Sequence, residues 1–326
     1  MFRCAGAILG CLVGAGFASG QEVLQFFTAF GPLYGALGAI LCMAVLCPVA
    51  VRVLAAPAGQ KVLGGAVFQK LLGPVCFAVY TVMLAGAGAL LQTAIGLPPV
   101  WGRTLLCVLS LWTVLAGTDR LTRILGYLGP VIVAFALVVG VAAIVTRPRG
   151  IAQAAALWPF LELPRAGRCW WLTALNYGGY NAFLLVPLLQ ILRGQFASGK
   201  NAARSAGAGC LCFGVAVLLL HLGLCSRLPA VYRSQTPALL LVSALWPGLY
   251  AAAAAGVLLL AGVYTTAVPL LLGVCKPQKM RYCLVAVAAW GCAALPFGTL
   301  VNCLYPLVGW LGLALAASLV LTGGKA

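Results

Sequence analysis

Long apolar stretches, separated by short polar or basic turns, run through almost the whole chain of 326 residues. A helix needs about 20 mainly apolar residues to cross the hydrocarbon core of a bilayer. We therefore predict an all-α integral membrane protein with ten transmembrane helices. They lie at residues 1–30, 33–54, 74–95, 104–116, 124–145, 169–192, 203–225, 248–274 and 282–295, with a tenth that follows the turn at 296–298 and ends near 322.

Two connecting segments are long enough to carry structure of their own. Residues 147–168 form the longest stretch between predicted spans, and residues 151–160 within it have the apolar and polar mixture of a short helix lying on the membrane surface. Residues 236–246 predict a second short helix, outside the membrane or at its edge. The remaining connections are short turns.

The composition narrows the class of protein and its orientation. With 64% hydrophobic and 7% charged residues, the chain cannot be a soluble domain of this length. Of its 20 Lys and Arg residues, thirteen fall in loops on the N-terminal side of the predicted topology and seven on the other side. The positive-inside rule then predicts that both termini are cytoplasmic.

The net charge of +17 does not indicate nucleic-acid binding, because no soluble domain presents a basic face. The basic loops fit contact with the lipid bilayer instead. The only acidic residues are Glu22, Asp119 and Glu162, and the only histidine is His221, which we place at a membrane interface. With so few acid–base pairs, an enzyme is not expected. The 14 cysteines are scattered through apolar spans, so disulfides and metal chemistry are not expected either.

The first apolar stretch contains an unusual polar and glycine-rich segment, residues 14–22. Glycine costs roughly 1 kcal/mol relative to alanine inside a helix, so several together predict a helix that breaks within the membrane. Non-helical backbone at that depth is tolerated only where protein buries it or where it lines a cavity. Glu22, an intramembrane carboxylate, is a candidate for coupling or gating, with a proton as its cargo. A glycine-packed helix with Glu22 at its aqueous rim is the alternative.

The sixth apolar stretch contains a second segment of this kind, with Asn176, Tyr177, Gly178, Tyr180 and Asn181. It lies five spans after the first. Glycine-interrupted spans at corresponding positions of two halves are typical of inverted-repeat transporters. We therefore predict that helices 1 and 6 are both broken, in two five-helix repeats at about 1–146 and 169–322 joined by the loop 147–168. The alternative is a tightly packed patch satisfied by hydrogen bonds between helices.

The segment Gly14-Ala-Gly-Phe-Ala-Ser-Gly-Gln-Glu22 resembles the start of the YkvI family of bacterial membrane proteins, whose hallmark reads close to GAGFASGQE. That family resembles the LeuT-fold transporters of the amino acid–polyamine–organocation superfamily. The resemblance implies a sodium site between the first and eighth helices, formed by Gly10, Val13, Gly262, Thr265 and Thr266. A second sodium site of amino acid transporters uses an asparagine where this chain has Phe17, which puts that second site in doubt. No other cofactor is expected.

The predicted function is secondary transport of a small solute, an amino acid or a related organic ion, by alternating access. A carboxylate of the solute would meet the N–H groups that the first break exposes, and tyrosines of the sixth span would form a wall or gate. The candidate substrate-binding residues are Gly14, Ala15, Gly16, Phe17, Ala18, Ser19, Asn176, Tyr177, Gly178 and Tyr180. Proton coupling through Glu22, or a sensor that binds without transporting, fits the same residues. The sequence carries no indication of oligomeric state.

Overall fold

The computed structural model describes residues 2–56, 65–196, 198–274 and 278–322, and within these ranges it contains helices and no strand. The helices of the first half are α1 (Phe2–Leu12), α2 (Ala15–Ser19), α3 (Gln21–Phe26), α4 (Gly31–Leu41), α5 (Met43–Ala55), α6 (Gly65–Ile95), α7 (Pro99–Ala116) and α8 (Thr118–Thr146). Those that follow are α9 (Gly150–Leu157), α10 (Trp170–Leu192), α11 (Gly199–Ser226), α12 (Leu228–Val231), α13 (Pro237–Leu245), α14 (Leu249–Val274), α15 (Lys279–Cys292) and α16 (Phe297–Thr322).

Seven stretches within the described part of the chain are long and apolar enough to cross a membrane, which makes this a multi-pass membrane protein. They are Gln21–Ala55, Phe68–Ile95, Pro99–Ala116, Arg123–Thr146, Gly199–Ser226, Leu249–Val274 and Phe297–Leu319. Helix α7 illustrates the distribution of side chains on these spans. It exposes Trp101, Val108 and Trp112 and buries Ser110 and Thr113. A helix with apolar residues outside and hydroxyls inside suits a hydrocarbon surrounding.

The first apolar segment is divided into three short helices. Helix α1 ends at Leu12, residues 13–14 are not helical, and Gly14 has the extended backbone that precedes α2. Gly20 separates α2 from α3 with φ of 81°, in the left-handed region that glycine occupies without the strain other residues incur. A side chain at Gly20 would also meet the backbone nitrogen of Ala238, at 2.7 Å. The glycines thus permit both the change of direction and close contact with α13.

The predicted break in the sixth span is wrong, because α10 runs as one helix from Trp170 to Leu192. Its glycines serve packing instead: Gly178 lies against the carbonyl of Cys42, and Gly179 lies against Gly309 of α16. The asparagine amides are used as well, since Asn176 donates to the Pro306 carbonyl at 3.0 Å. Each of these contacts satisfies or shields the backbone without unwinding it, which is the tightly packed alternative.

Helix α1 lies in the centre of the molecule, between α8, α11 and α14. Small residues allow this close approach, because Gly6 faces Gly126 of α8, and Gly10 faces Gly129 one turn further along. Helix α14 packs in turn along the length of α6. The broken first segment is therefore surrounded by unbroken helices, as non-helical backbone inside a membrane requires.

The two predicted connecting helices are present. Helix α9 and the 3₁₀ turn Trp158–Phe160 occupy residues 150–160, and α13 occupies 237–245. Trp158 covers Gly31 at the end of the first segment, while Arg165 donates to the Ala29 carbonyl at 3.2 Å. The connection that contains α9 therefore lies against the turn between the first two apolar segments, whereas α13 packs on α14 and α8.

Candidate functional site

The carbonyls at the end of α1 meet two hydroxyls of α14. Because the first segment is interrupted after α1, these carbonyls lack the N–H donors that the next turn of a continuous helix would supply. Thr265 Oγ1 lies 2.6 Å from the Gly10 oxygen and 2.7 Å from the oxygen of Gly262 on its own helix. Thr266 Oγ1 donates to the Cys11 oxygen at 2.7 Å. We call this set of oxygens the threonine junction.

The threonine junction brings together the residues that the resemblance implied for sodium. Val13 also reaches it, since its carbonyl oxygen lies 3.3 Å from the point where a side chain at Gly262 would begin. The Cys11 carbonyl, which accepts from Thr266, is an additional member that the sequence analysis missed, because the pattern that the resemblance implied contains only the carbonyls of Gly10, Val13 and Gly262. All these oxygens are neutral, and neutral carbonyl and hydroxyl oxygens suit a hard monovalent cation.

Helix α2 places its residues against several neighbours. The Gly14 Cα faces Met83 of α6 and the methyl of Thr266, and the Ala15 N–H points to the Met83 sulfur at 3.3 Å. The Phe17 ring packs on Phe213 with centroids 5.3 Å apart. The Ala18 N–H donates to the Gly14 carbonyl at 2.8 Å, and the Ser19 hydroxyl to that of Gly16 at 3.1 Å. Several polar groups of α2 are therefore bonded in this conformation.

Glu22 folds back onto α2 instead of reaching an aqueous rim. It is 1% exposed, and its carboxyl occupies the space beside Gly16 that any larger side chain would need. The Tyr180 hydroxyl donates to Glu22 Oε1 at 3.3 Å. The hydroxyls of Tyr177 and Tyr305 face the same carboxyl, but neither forms a hydrogen bond of acceptable geometry. Three tyrosines thus surround one buried carboxyl group.

These tyrosines belong to a continuous group of aromatic rings. Tyr180 and Tyr305 are stacked with centroids 4.3 Å apart, and Tyr177 lies 6.1 Å from Tyr180. Tyr177 also packs on Phe26 at 5.1 Å and Phe27 at 5.0 Å. We call Tyr177, Tyr180 and Tyr305 the tyrosine cluster. Sequence analysis missed Tyr305, although its place before a helical proline marks an irregular point in the last span.

The other predicted residues of the sixth span lie on packing surfaces. Asn176 is directed at α16, where its amide donates to Pro306, and Gly178 is directed at the α4–α5 junction. Their role in substrate binding stays a prediction. Tyr177 and Tyr180, in contrast, are directed at Glu22 and hence at α2.

Of two cavities near the broken segment, the smaller adjoins it and the larger is separated from it by a layer of side chains. A cavity of about 440 Å³ lies at the connections α6–α7 and α15–α16, with Gln92, Arg103 and Gln235 among its polar lining residues. Phe297 also lines it, and a side chain at Gly86 would touch both this ring and Ala15 of α2. A much smaller apolar cavity, about 20 Å³, adjoins Val13, Phe17 and Ala18. Phe297 and the residues around Gly86 thus separate the large cavity from α2.

His221 is not at an interface, and that prediction is wrong. It is fully buried in α11, where Nε2 lies 3.0 Å from the Pro32 carbonyl and Nδ1 lies 3.0 Å from the Thr28 hydroxyl. A carbonyl can only accept, so Nε2 carries the proton and Nδ1 accepts from Thr28. His221 therefore joins α11 to the turn between the first two apolar segments. Among the described residues, no three His, Cys, Asp or Glu side chains are grouped for a metal ion.

Sequence comparison gives relatives along the whole chain, although no protein-family model matches. The membrane protein YkvI of Bacillus subtilis (strain 168) is 27% identical over 337 residues, covering 96% of this chain and 93% of YkvI. YyaD of the same organism is 27% identical, with 96% of this chain and 94% of YyaD covered. The resemblance to YkvI that residues 14–22 indicated is confirmed and extends over nearly the full length.

Structural comparison shows the fold. MhsT, solved in complex with L-phenylalanine, superposes with a TM-score of 0.67 at 16% identity, covering 100% of this chain and 89% of MhsT. A manganese transporter of Eremococcus coleocola gives 0.57 at 16% identity, with 98% and 78% covered. Mhp1, a nucleobase-cation-symport-1 family transporter, gives 0.52 at 13% identity, with 98% and 74% covered. The chain therefore has the LeuT fold, the fold of the manganese transporter and of Mhp1.

Proposed function

We propose that this chain is a secondary transporter that moves a small solute by alternating access and is coupled to sodium. Its first segment would be the moving element, held among helices that form a scaffold. The single observation that carries the proposal is the threonine junction. It joins the end of α1 to α14 through neutral oxygens, at the point where the first helix is interrupted.

The architecture we propose has ten spans in two inverted repeats, at residues 1–146 and 169–322, with both termini cytoplasmic in a bacterial inner membrane. Helices α1–α3 would form the first span and α4–α5 the second. The other eight would be α6, α7, α8, α10, α11, α14, α15 and α16. The distribution of basic residues supports this orientation.

Sodium would bind the carbonyl oxygens of α1 that now accept hydrogen bonds from the threonine hydroxyls. Thr265 has one proton, yet its oxygen contacts the carbonyls of both Gly10 and Gly262 within 2.7 Å. A cation among these oxygens would be bound by both carbonyls and by the lone pairs of the hydroxyls. Such an ion ties α1 to α14, so it stabilises the conformations in which these helices are adjacent and biases alternating access.

The solute would bind beside α2, at Gly14 to Ser19 and the tyrosines of α10. In the proposed orientation, the cavity of about 440 Å³ opens on the outer side and ends at Phe297, one layer of residues from Ala15. It provides an access route that closes above α2. An amino acid or related organic ion fits this size of route, and MhsT, which shares the fold, was solved with L-phenylalanine.

Coupling to a proton through Glu22 is a second candidate, favoured by one observation. Glu22 is an acidic residue buried on the moving segment, and Tyr180 contacts it from the helix opposite. A carboxyl group there can change its protonation state as access alternates. A sensor on the same fold would bind ligand and ion in the same way but would move no net solute.

The experiment that tests sodium coupling compares Thr265→Val/Thr266→Val with wild type. Purified protein in proteoliposomes is assayed for uptake of a radiolabelled amino acid mixture under a sodium or a potassium gradient, and thermal stability is measured in both salts. We expect sodium-dependent uptake in the wild type. A sodium concentration ten times the sodium Kd would add about 1.4 kcal/mol to the free energy of unfolding. The double variant should lose both the sodium-dependent uptake and the sodium-dependent stability.

The matched control is Thr81→Val, because Thr81 is also a buried helical threonine but bonds only the Phe77 carbonyl of its own helix. This control should keep full sodium dependence. Wild type without sodium dependence, or a double variant that keeps it in full, would refute sodium coupling. Sodium-dependent stability without uptake would indicate a sensor.

A further inference from the structure

We propose that Glu22 and the tyrosine cluster bind a cationic nitrogen of the transported solute, so that the solute is an amine or another organic cation. The inference rests on the transport function proposed above and names the substrate class of the same site. It replaces the expected contact between a solute carboxylate and the N–H groups of α2.

The buried carboxyl of Glu22 favours a positive charge beside it. A carboxylate with 1% exposure inside a membrane is stable only with a compensating charge or a proton. Within the described part of the chain, the side chains that face the Glu22 carboxyl are those of Tyr177, Tyr180 and Tyr305. None of them is a cation. The position therefore suits a positive charge supplied from outside the chain.

The hydroxyls of the tyrosine cluster have unused capacity for hydrogen bonds. The Tyr177 and Tyr305 hydroxyls are buried without a partner, and the Tyr180–Glu22 bond is long at 3.3 Å. Buried polar groups are nearly always paired, so two free hydroxyls beside a carboxyl mark a place for a further polar group. An ammonium supplies up to three donors, which matches one carboxylate oxygen and two hydroxyl oxygens.

Aromatic side chains enclose the Glu22 carboxyl, because Tyr177, Tyr180 and Tyr305 direct their hydroxyl ends at it and pack on one another. Aromatic rings attract cations, and groups of aromatic residues recognise quaternary ammonium ligands. The carboxylate, the hydroxyls and the aromatic surroundings therefore favour a cationic ligand.

The Glu22 carboxyl also disfavours the expected contact between α2 and an anion. It fills the space beside Gly16, so it leaves no room there for a solute carboxylate, and an ionised Glu22 would repel one. Two like charges in a low-dielectric site destabilise each other strongly. An amino acid can still bind if its ammonium faces Glu22, with its carboxylate directed elsewhere.

The test uses small probes that separate charge from shape. Alanine, ethylamine and lactate share a small carbon skeleton, but ethylamine lacks the carboxylate and lactate lacks the ammonium. Choline and 3,3-dimethylbutan-1-ol have the same shape with and without the positive charge. Binding to the purified full chain in sodium is measured by calorimetry and thermal shift. We expect ethylamine to bind at least tenfold more tightly than lactate, and choline at least tenfold more tightly than its neutral isostere.

Variants assign the effect to the site. Glu22→Gln should remove the preference for the charged probes, and Tyr180→Phe should weaken binding while keeping the ring. Glu162→Gln, at an exposed acid, is the matched control and should change nothing. Lactate binding without ethylamine binding, equal results for charged and neutral probes (including no binding by either), or an unchanged preference in Glu22→Gln would overturn the inference.

The outcome is separable from that of the transport proposal. If charged probes bind as expected but proteoliposomes show no uptake, the cation site stands and transport fails. If the amino acid mixture is taken up but only lactate-like anions compete, transport stands and the cation site fails. A carboxyl that only carries protons would leave the charged and neutral probes indistinguishable.

Discussion

Replacing Gly16 by alanine is the most direct perturbation of the contact between α2 and Glu22. The new methyl group would fall on the carboxyl carbon and oxygen of Glu22, so the carboxyl must leave its place beside α2. Moving it breaks the 3.3 Å bond from Tyr180. The substitution therefore tests whether the position of Glu22, and not only its charge, matters for binding.

The magnitude follows from three effects. Losing a hydrogen bond to a carboxylate costs about 1.5–3 kcal/mol, and overpacking a filled site costs about 1–3 kcal/mol. Alanine recovers up to about 1 kcal/mol of helix propensity over glycine. Because the bond is long and the Glu22 side chain is flexible, the lower ends apply, and the net loss is about 1.5 kcal/mol.

The assay is denaturant unfolding of the purified protein, together with the choline and ethylamine binding described above. Gly207→Ala is the control, since nothing lies within 4 Å of the added methyl group in the middle of α11. We expect the control to be neutral or slightly stabilised, and Gly16→Ala to be destabilised and to lose its preference for cations. If the two variants behave alike, Glu22 does not rest on Gly16.

Three further predictions follow from the packing and the proposed linkage. Gly179→Ala should destabilise the fold by about 1–3 kcal/mol in the same unfolding assay, because its methyl group would lie 2.5 Å from the Gly309 carbonyl oxygen; Gly291→Ala, in open space, should not. Thr28→Val should cost about 1–3 kcal/mol, because it leaves His221 Nδ1 with only the weak donor Cys225 Sγ, at 3.8 Å. Thermal unfolding checks this, with Thr93→Val, whose hydroxyl is exposed, as the control. Sodium should tighten ethylamine binding, and ethylamine should tighten sodium binding by the same factor; an ethylamine affinity that calorimetry finds unchanged by sodium would contradict the coupling.

The overall class could be predicted from the sequence because membrane spans depend on length and hydropathy alone. The break in the first segment was also predictable, since Gly14 lies where the helix is interrupted and Gly20 takes the positive φ that separates α2 from α3. The same signal failed in the sixth segment. There, Gly178 and Gly179 accommodate neighbouring backbone, and a glycine that permits close packing is indistinguishable in sequence from one that ends a helix.

The site divides in the same way. The contact of Thr265 and Thr266 with the end of α1 could be predicted because the resemblance supplied the pattern, which also gave the Gly10 carbonyl. The Cys11 carbonyl is not part of that pattern, so its bond to Thr266 could not be predicted. Tyr305 could not either, since it lies 283 positions from Glu22 in the chain and only the packing of α16 on α10 brings them together. Contacts set by helix packing between distant segments leave no local trace.

The threonine junction and Glu22 lie at the two ends of α2. The threonine junction joins the end of α1, just before α2, to α14. Glu22 follows α2 and contacts Tyr180 of α10. The residues between them, including Gly14 and Gly16, are the ones whose backbone can change direction without strain. A sodium ion at one end and a cationic solute at the other would therefore both act on α2. The binding of either one would restrict the conformations of α2 that are available for binding the other. Coupling between them then needs no pathway through the scaffold, because α2 is shared by both.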